Sequence, residues 1–229
     1  MPLDKINVLQ EATKLTQPLA VATLARVDDF VTMVYICQGA VAWHKHEDQD
    51  ELFFVQDGEI TLETELGRQV LREGEMAVVP RQTAHSSRSS LWSVVLLFTR
   101  TTPTISRNGH RKMYLTDDEA PLTKVNVIEE ASRLVQPFTP LDLVLVNDFL
   151  VRLAMAQGRG PWHRHEEHDE LLFALGGGLT LQSEVGDTIL GAGEMAVVPR
   201  RAEHRLSSRR RLAFLIFASQ ALDFESGPR

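Results

Sequence analysis

The sequence repeats itself at a spacing of 119 residues. The run GEMAVVPR occupies residues 74–81 and returns at 193–200. KINVLQEATKLTQP, starting at Lys5, aligns with KVNVIEEASRLVQP, starting at Lys124. WHKHEDQDE, starting at Trp43, aligns with WHRHEEHDE, starting at Trp162. Roughly two-fifths of the aligned positions are identical without a gap, so whatever one copy folds into, the other does too. A chain of 229 residues split this way gives two halves of about 115, each long enough to bury a core. The expected domains are 1–110 and 111–229, with a boundary near 105–120 in a stretch rich in polar and breaker residues.

Each copy reads as β. FVTMVYICQ is β-branched and aromatic, as strands are. ELFFVQDGEITLETE reads as two strands, with Asp57-Gly58 as a hairpin signal. GEMAVVP is a short buried strand ended by proline, and LWSVVLLFT and RLAFLIFAS are late strands. Many short strands separated by turns predict a sandwich or barrel. NVLQEATKL and NVIEEASRL read as short helices, each with an asparagine placed to cap it.

Composition narrows the function. A net charge of −7 and a pI near 5.6 argue against nucleic acid or an anionic membrane as partner. Arg209, Arg210 and Arg211 read as a short solvated cluster in a loop. Cys37 is the single cysteine, so no internal disulfide forms, and it reads as a small core residue. No basic-then-apolar leader opens the sequence, and no apolar run approaches the ~20 residues that span a bilayer. A cytoplasmic protein is the expectation.

The repeated cluster carries the chemistry. Side chains alternate along a strand, so His44 and His46 share a face, about 6–7 Å apart, while Trp43, Lys45 and Glu47 point the other way. Two such imidazoles can converge on a metal ion. Glu51 opens the next strand and can add a third ligand, and His85, after the Pro80 strand, a fourth. The second copy repeats the set as His163, His165, Glu170 and His204. Three nitrogens and one oxygen suit iron, manganese, nickel, copper or zinc. Asp48, Asp50, Glu166, Glu167 and Asp169 between the ligands read as solvated. His168, where the first copy has Gln49, reads as an exposed loop residue or as an acid or base at the mouth of the second site. His110 has no counterpart.

The pattern Gly39-x4-His44-x-His46-x4-Glu51-x6-Gly58 resembles the first cupin motif. Gly74-x5-Pro80-x4-His85 resembles the second. The copy supplies Gly158, His163, His165, Glu170 and Gly177, then Gly193, Pro199 and His204. Gln82 and Arg201 stand where the second motif usually has glycine, and the first glycine-to-histidine spacing is one residue short. The resemblance covers nearly the whole chain. It implies an all-β bicupin: two tandem jelly-roll β-barrels with short N-terminal helices, related by internal duplication. One divalent transition metal per barrel would be held by the eight residues named, with positions left open for substrate.

That resemblance implies a metal-dependent enzyme on a small organic acid, enol or sugar-like molecule, of dioxygenase or related oxidoreductase type. Isomerase, polyketide cyclase, lyase and decarboxylase are the alternatives, and a non-catalytic ligand-binding barrel stands behind them. A small molecule is the expected partner, without nucleic acid or membrane, and a homo-oligomer fits the cupin pattern. The two pockets should differ. Phe53 and Val55 align with Leu172 and Ala174, and Tyr35 and Cys37 with Ala154 and Ala156. The second cavity is therefore expected to be roomier and the better candidate for turnover, with Arg152 able to hold a substrate carboxylate.

Overall fold

Strand-forming, mostly apolar segments build two antiparallel sheets in the computed structural model, which describes residues 2–65, 67–100, 107–108 and 122–219. The chain begins with β1 (Lys5–Asn7) and α1 (Val8–Thr13). Next come β2 (Val21–Val27), β3 (Phe30–Ala40), β4 (His44–Lys45), β5 (Glu51–Asp57), β6 (Glu59–Thr64), β7 (Gly67–Arg72) and β8 (Glu75–Val79). The long β9 (His85–Arg100) and the short β10 (Arg107–Asn108) close the first repeat. The second opens with β11 (Lys124–Asn126) and α2 (Val127–Arg133). It continues with β12 (Leu141–Val146), β13 (Phe149–Arg159), β14 (Glu170–Ala174), β15 (Leu179–Ser183), β16 (Gly186–Leu190), β17 (Glu194–Val198) and β18 (His204–Ser219). The expected boundary between 110 and 111, and His110, lie outside the described residues. No described helix is long and apolar enough to cross a membrane.

The sheets do not follow the repeats strictly. One compact unit, barrel 1, is Leu9–Ile128; the other, barrel 2, is Met1–Val8 with Glu129–Arg229. β1 pairs with β17 of barrel 2, Lys5 opposite Ala196, and β11 pairs with β8 of barrel 1, Lys124 opposite Ala77. Each barrel thus takes its edge strand from the other repeat. The same segment that reads as a helix start is therefore a strand first, with its lysine tied to a carboxylate. Lys5 Nζ lies 2.8 Å from Glu194, and Lys124 Nζ 3.0 Å from Glu75. The asparagines before the helices serve the same edge: Asn126 donates to Glu75 at 3.5 Å.

β9 is the spine of barrel 1. Its first residues pair with β6 and its later ones with β5, while β3 runs along most of its length. β18 plays that part in barrel 2. This corrects the hairpin reading of Asp57-Gly58. β5 and β6 pair with different stretches of β9 and not with each other. Gly58 is a corner at φ 85°, where an added Cβ would come within 2.5 Å of Ser93 Oγ. The close approach requires glycine there.

Opposite each other on β9 and β3, Cys37 pairs with Ser93 and Gly39 with Ser89, so residues 90–92 bulge out of the ladder. The bulge recurs in barrel 2 between Ala156–Leu212 and Gly158–Ser208. It exposes Leu91 and Trp92 in barrel 1 and Arg209, Arg210 and Arg211 in barrel 2. The arginines are thus solvated, as read, but belong to a strand rather than a loop.

Inside barrel 1 pack Tyr35, Cys37, Phe53, Val55 and Val95, with leucines and isoleucine from β6 and β7. Inside barrel 2 pack Ala154, Ala156, Leu172, Ala174 and Phe214. The expected extra room in barrel 2 is filled from the neighbouring strand. Val95 lies between Tyr35 and Val55, and Phe214 lies between Ala154 and Ala174. Bulk lost on two strands returns on a third, which a close-packed interior demands.

Candidate metal centres

Four side chains meet in each barrel. In barrel 1, His44 comes from β4, Glu51 opens β5 and His85 opens β9; His46 follows one residue beyond β4. One ligand-capable atom from each of the four lies within 4.8 Å of every other. His163, His165, Glu170 and His204 meet the same description in barrel 2. All eight sequence-derived candidates are thus brought together, four to a barrel.

The strand behind the first pair is shorter than expected. β4 has two residues, and its counterpart is a single bridge between His163 and His204. The histidine rings still converge. His44 and His46 have centroids 5.2 Å apart, and His163 and His165 5.3 Å. What aims them is the loop ahead of the last ligand. Gln82 N donates to His46 O at 2.5 Å, and Arg201 N to His165 O at 2.6 Å. The acids Asp50 and Asp169 add a second tie, accepting from the backbone of Arg81 and Arg200 at 2.9 Å each. Contrary to the expectation of solvated acids, they fasten the loop between the first candidate ligands to the loop before the last.

Hydrogen bonding fixes which nitrogen faces the centre. Nδ1 of His44 lies 2.8 Å from Ala42 O, and Nδ1 of His85 lies 3.0 Å from Thr83 O. His163 and His204 repeat this with Pro161 O and Ala202 O, at 3.2 and 3.0 Å. A carbonyl only accepts, so Nδ1 carries the proton and Nε2 points inward. His85 Nε2 is 3.0 Å from Glu51 Oε2, and His204 Nε2 is 3.2 Å from Glu170 Oε2. A bare lone pair facing a carboxylate at that distance is repulsive. Each pair therefore calls for a cation between or on its atoms, either a second proton or a metal ion. His46 Nε2 lies 3.4 Å from Glu51 in ion-pair contact without hydrogen-bond geometry, and both its nitrogens are buried without a hydrogen bond. His165 Nε2 is in the same state. Buried polar atoms left this way are costly unless something else binds them. The donor set fits a divalent transition metal.

The electrostatics agree. Burial alone would raise the Glu51 carboxyl, yet contact with His46 and His85 overrides it and holds it at about 2. Glu170, against His165 and His204, is likewise held well below the usual carboxylate range in spite of its burial. Burial, with the neighbouring His85, pushes His44 down, and burial with His204 does so for His163. Contact with Glu51 raises His46; burial lowers His204, but Glu170 more than reverses it. Two ionised carboxylates and neutral outer imidazoles are the protonation states that bind metal.

The structure corrects two further readings. His168 is not an exposed loop residue: it is 2% exposed, and its ring stacks on His165 at 4.6 Å and 29°. Gln49, its counterpart, is also buried. The ligand loop folds back over its own histidine, a long-range outcome that no local signal announces. Arg152 already holds a carboxylate of its own chain: its Nε donates to Asp142 at 2.8 Å. Trp162, expected to face away from the ligands, is 46% exposed with the Arg205 guanidinium 4.7 Å over its ring. Cys37 is fully buried, as expected, and burial raises its thiol pKa.

The cupin domain model, Cupin_2, matches residues 32–90 and 149–216, one segment from each repeat. The uncharacterized protein YdbB of Bacillus subtilis (strain 168) is 30% identical over 91 residues, which cover 39% of this chain and 80% of that one. Among solved structures, a cupin 2 conserved barrel domain protein from Leptotrichia buccalis is 10% identical with a TM-score of 0.68, over 96% of this chain and 98% of that one. The salicylate 1,2-dioxygenase of Pseudaminobacter salicylatoxidans is 12% identical with a TM-score of 0.77, over 95% and 84%. At these identities the two structures share this chain's fold.

Proposed function

This chain belongs to the cupin domain family, and from that premise we propose that it is a metal-dependent enzyme acting on a small organic molecule. One divalent transition metal would be held in each barrel, by His44, His46, Glu51 and His85 in the first and by His163, His165, Glu170 and His204 in the second. The observation that carries the reading is the inward Nε2 of His85 against Glu51, with its Nδ1 committed to Thr83 O. A metal held there supplies Lewis acidity and, if redox-active, electron exchange with oxygen.

The residues around it divide the labour. In barrel 1 the Phe53 ring meets His85 edge-on at 5.9 Å, and on the same interior face the Tyr35 hydroxyl donates to Ser87 Oγ at 3.0 Å. Desolvation, with Cys37 next, raises the Tyr35 pKa, so it stays a proton-bearing donor throughout the neutral range. In barrel 2 the corresponding positions are Ala154 and Leu206. Barrel 1 thus suits a hydroxylated or acidic substrate, with Tyr35 and Ser87 orienting it and Phe53 excluding water. Dioxygenase-type oxidation is our finer reading, supported by fold likeness to the salicylate enzyme, which has also been solved with gentisate.

Metal analysis of protein purified without chelator or nickel resin tests the first part. About two ions per chain are expected, and His46→Ala and His165→Ala should each remove about one; a ratio that stays at one or below sinks the two-site reading. Oxygen uptake with a panel of enols and aromatic hydroxy acids, gentisate and salicylate among them, tests the second. Turnover without oxygen consumption would replace oxidation by Lewis-acid isomerase, cyclase, lyase or decarboxylase chemistry. Loss confined to Glu170→Ala, with Glu51→Ala active, would move turnover to barrel 2.

A further inference from the structure

We infer that barrel 2 carries a second binding site, an open cleft that takes the phosphoryl group of a small molecule, separate from the His/Glu centre. The cleft has a volume of about 780 Å³ and none of the four His/Glu residues lines it. Arg159, at the end of β13, faces it together with Arg209 and Arg210 from the β18 bulge. Thr180, Ser207, Ser208, the glycine corner at Gly177 and Gly178, and the apolar Ile189 also line it. All three guanidinium groups are on exposed residues, and among the described residues none of them pairs with a carboxylate.

Three arginines without a carboxylate partner among the described residues, set around one concavity in a chain of net charge −7, concentrate positive potential there. Guanidinium forks, hydroxyls and a glycine-rich backbone turn are the donors that a tetrahedral phosphoryl group with several exposed oxygens accepts from. The volume far exceeds a phosphate ion and falls in the range that holds an organic molecule. The ligand is therefore a phosphate ester or diphosphate carrying an organic group.

Barrel 1 shows that the fold does not require this charge. Its equivalents of Arg159, Arg209 and Arg210 are Ala40, Ser90 and Leu91, and Glu59 stands at Gly178. The charges it does carry nearby are paired: Arg72 with Glu59 at 3.0 Å, and Arg88 with Glu63 at 2.9 Å. The same bulge thus supports an apolar, neutralised surface in one barrel and, among the described residues, a cationic cleft without carboxylate partners in the other.

Calorimetric titration of the metal-loaded full chain with inorganic pyrophosphate tests the site, with citrate as a polycarboxylate of similar charge. Pyrophosphate should bind the unmodified chain, weaken several-fold as salt rises from about 50 to 200 mM, and bind at least tenfold more weakly after Arg159→Ala, Arg209→Ser and Arg210→Leu are combined. Ser207→Glu, which sets a carboxylate in the cleft and leaves the arginines in place, should weaken it likewise. Absence of binding to the unmodified chain, or equal affinity in both variants, would overturn the site, the latter because the anion would then sit elsewhere. Binding of citrate in preference to pyrophosphate would overturn the phosphoryl assignment.

Discussion

The two barrels share four ligand positions each and fill the space around them by opposite rules. Barrel 1 sets Tyr35 against Val95 across the β3–β9 ladder, while barrel 2 sets Ala154 against Phe214. Barrel 1 keeps hydroxyls at Ser87 and Ser93, where barrel 2 has Leu206 and Leu212. The lesson is that volume is conserved across neighbouring strands while polarity is free to drift. The second interior is the more apolar of the two, and Phe214 stands where the first has Val95.

The largest expected effect comes from breaking that exchange. Phe214→Ala should destabilise barrel 2 by about 3–5 kcal/mol, because Ala154 and Ala174 on either side cannot fill the gap. Phe214→Val, which installs the residue of barrel 1, should cost less. Adding Ala154→Tyr to it should recover part of the loss, giving a favourable coupling of about 1 kcal/mol or more in a double-mutant cycle. Denaturant unfolding measures all three. Strict additivity would mean that the two positions are not one packing unit.

Acid tests what the barrels share. A carboxyl held low in the folded state stabilises it above the unfolded pKa and loses that stability as pH falls through the folded value. For Glu51 the window runs from 4.5 down to about 2, and the loss in metal-free protein is on the order of 3 kcal/mol. Glu170 shifts in the same direction. The histidines act in opposite directions nearer neutrality. The lowered His44 and His163 weaken the fold as pH drops through their ordinary value, while the raised His46 and His204 strengthen it there. Unfolding of the metal-free chain at stepped pH should therefore show a loss of stability between pH 4.5 and about 2. Glu51→Gln should flatten the share due to barrel 1, and a curve unchanged by that variant would deny Glu51 the part assigned to it.

The parts of this architecture that were legible in the sequence are those set by local pattern. The eight candidate ligands and the strands FVTMVYICQ and GEMAVVP follow from spacing and alternation, and the cupin motifs from resemblance to a known family. What stayed hidden is set by partners far along the chain. The edge strands at Lys5 and Lys124 carry little strand signal and form because a ladder of the other repeat awaits them. Asp57-Gly58 has hairpin chemistry, yet β9 captures both flanking strands. Phe214 could be seen to compensate for Ala154 only once the two were known to face each other. Asp50 and His168 sit among charged loop residues, and nothing local separates them from solvated neighbours.

His168 offers a smaller way to sharpen the comparison. It stacks on the ligand His165, whereas barrel 1 has Gln49 at that place. A ring held face to face has less freedom to leave its ligating orientation, so barrel 2 should bind metal more tightly. His168→Gln, in a background where His46→Ala empties barrel 1, should weaken cobalt binding by about threefold to tenfold and shift its visible absorption. Competition with a chromogenic chelator gives the affinity. Unaltered affinity and spectrum would mean the stacking fills space without steering His165.

The smallest effect expected concerns a strain that both barrels retain. Gln82 and Arg201 each have φ of 67°, in the left-handed region, at the position where the cupin pattern has glycine. Their N–H groups make the short bonds to His46 O and His165 O, so the ligand loop needs this conformation whatever residue occupies it. A side chain there costs about 1–2 kcal/mol, of which glycine would return part, because its unfolded chain loses more entropy on ordering. Gln82→Gly should therefore stabilise barrel 1 by about 0.5–1 kcal/mol. Arg201→Gly should do nearly the same, since its contact with Glu166 is a 3.8 Å surface pair between exposed groups and contributes little. Paired denaturation curves decide the matter. Equal gains would show that the strain belongs to the shared loop, whereas a loss at Arg201 alone would mean that its guanidinium has a role in barrel 2 that Gln82 lacks in barrel 1.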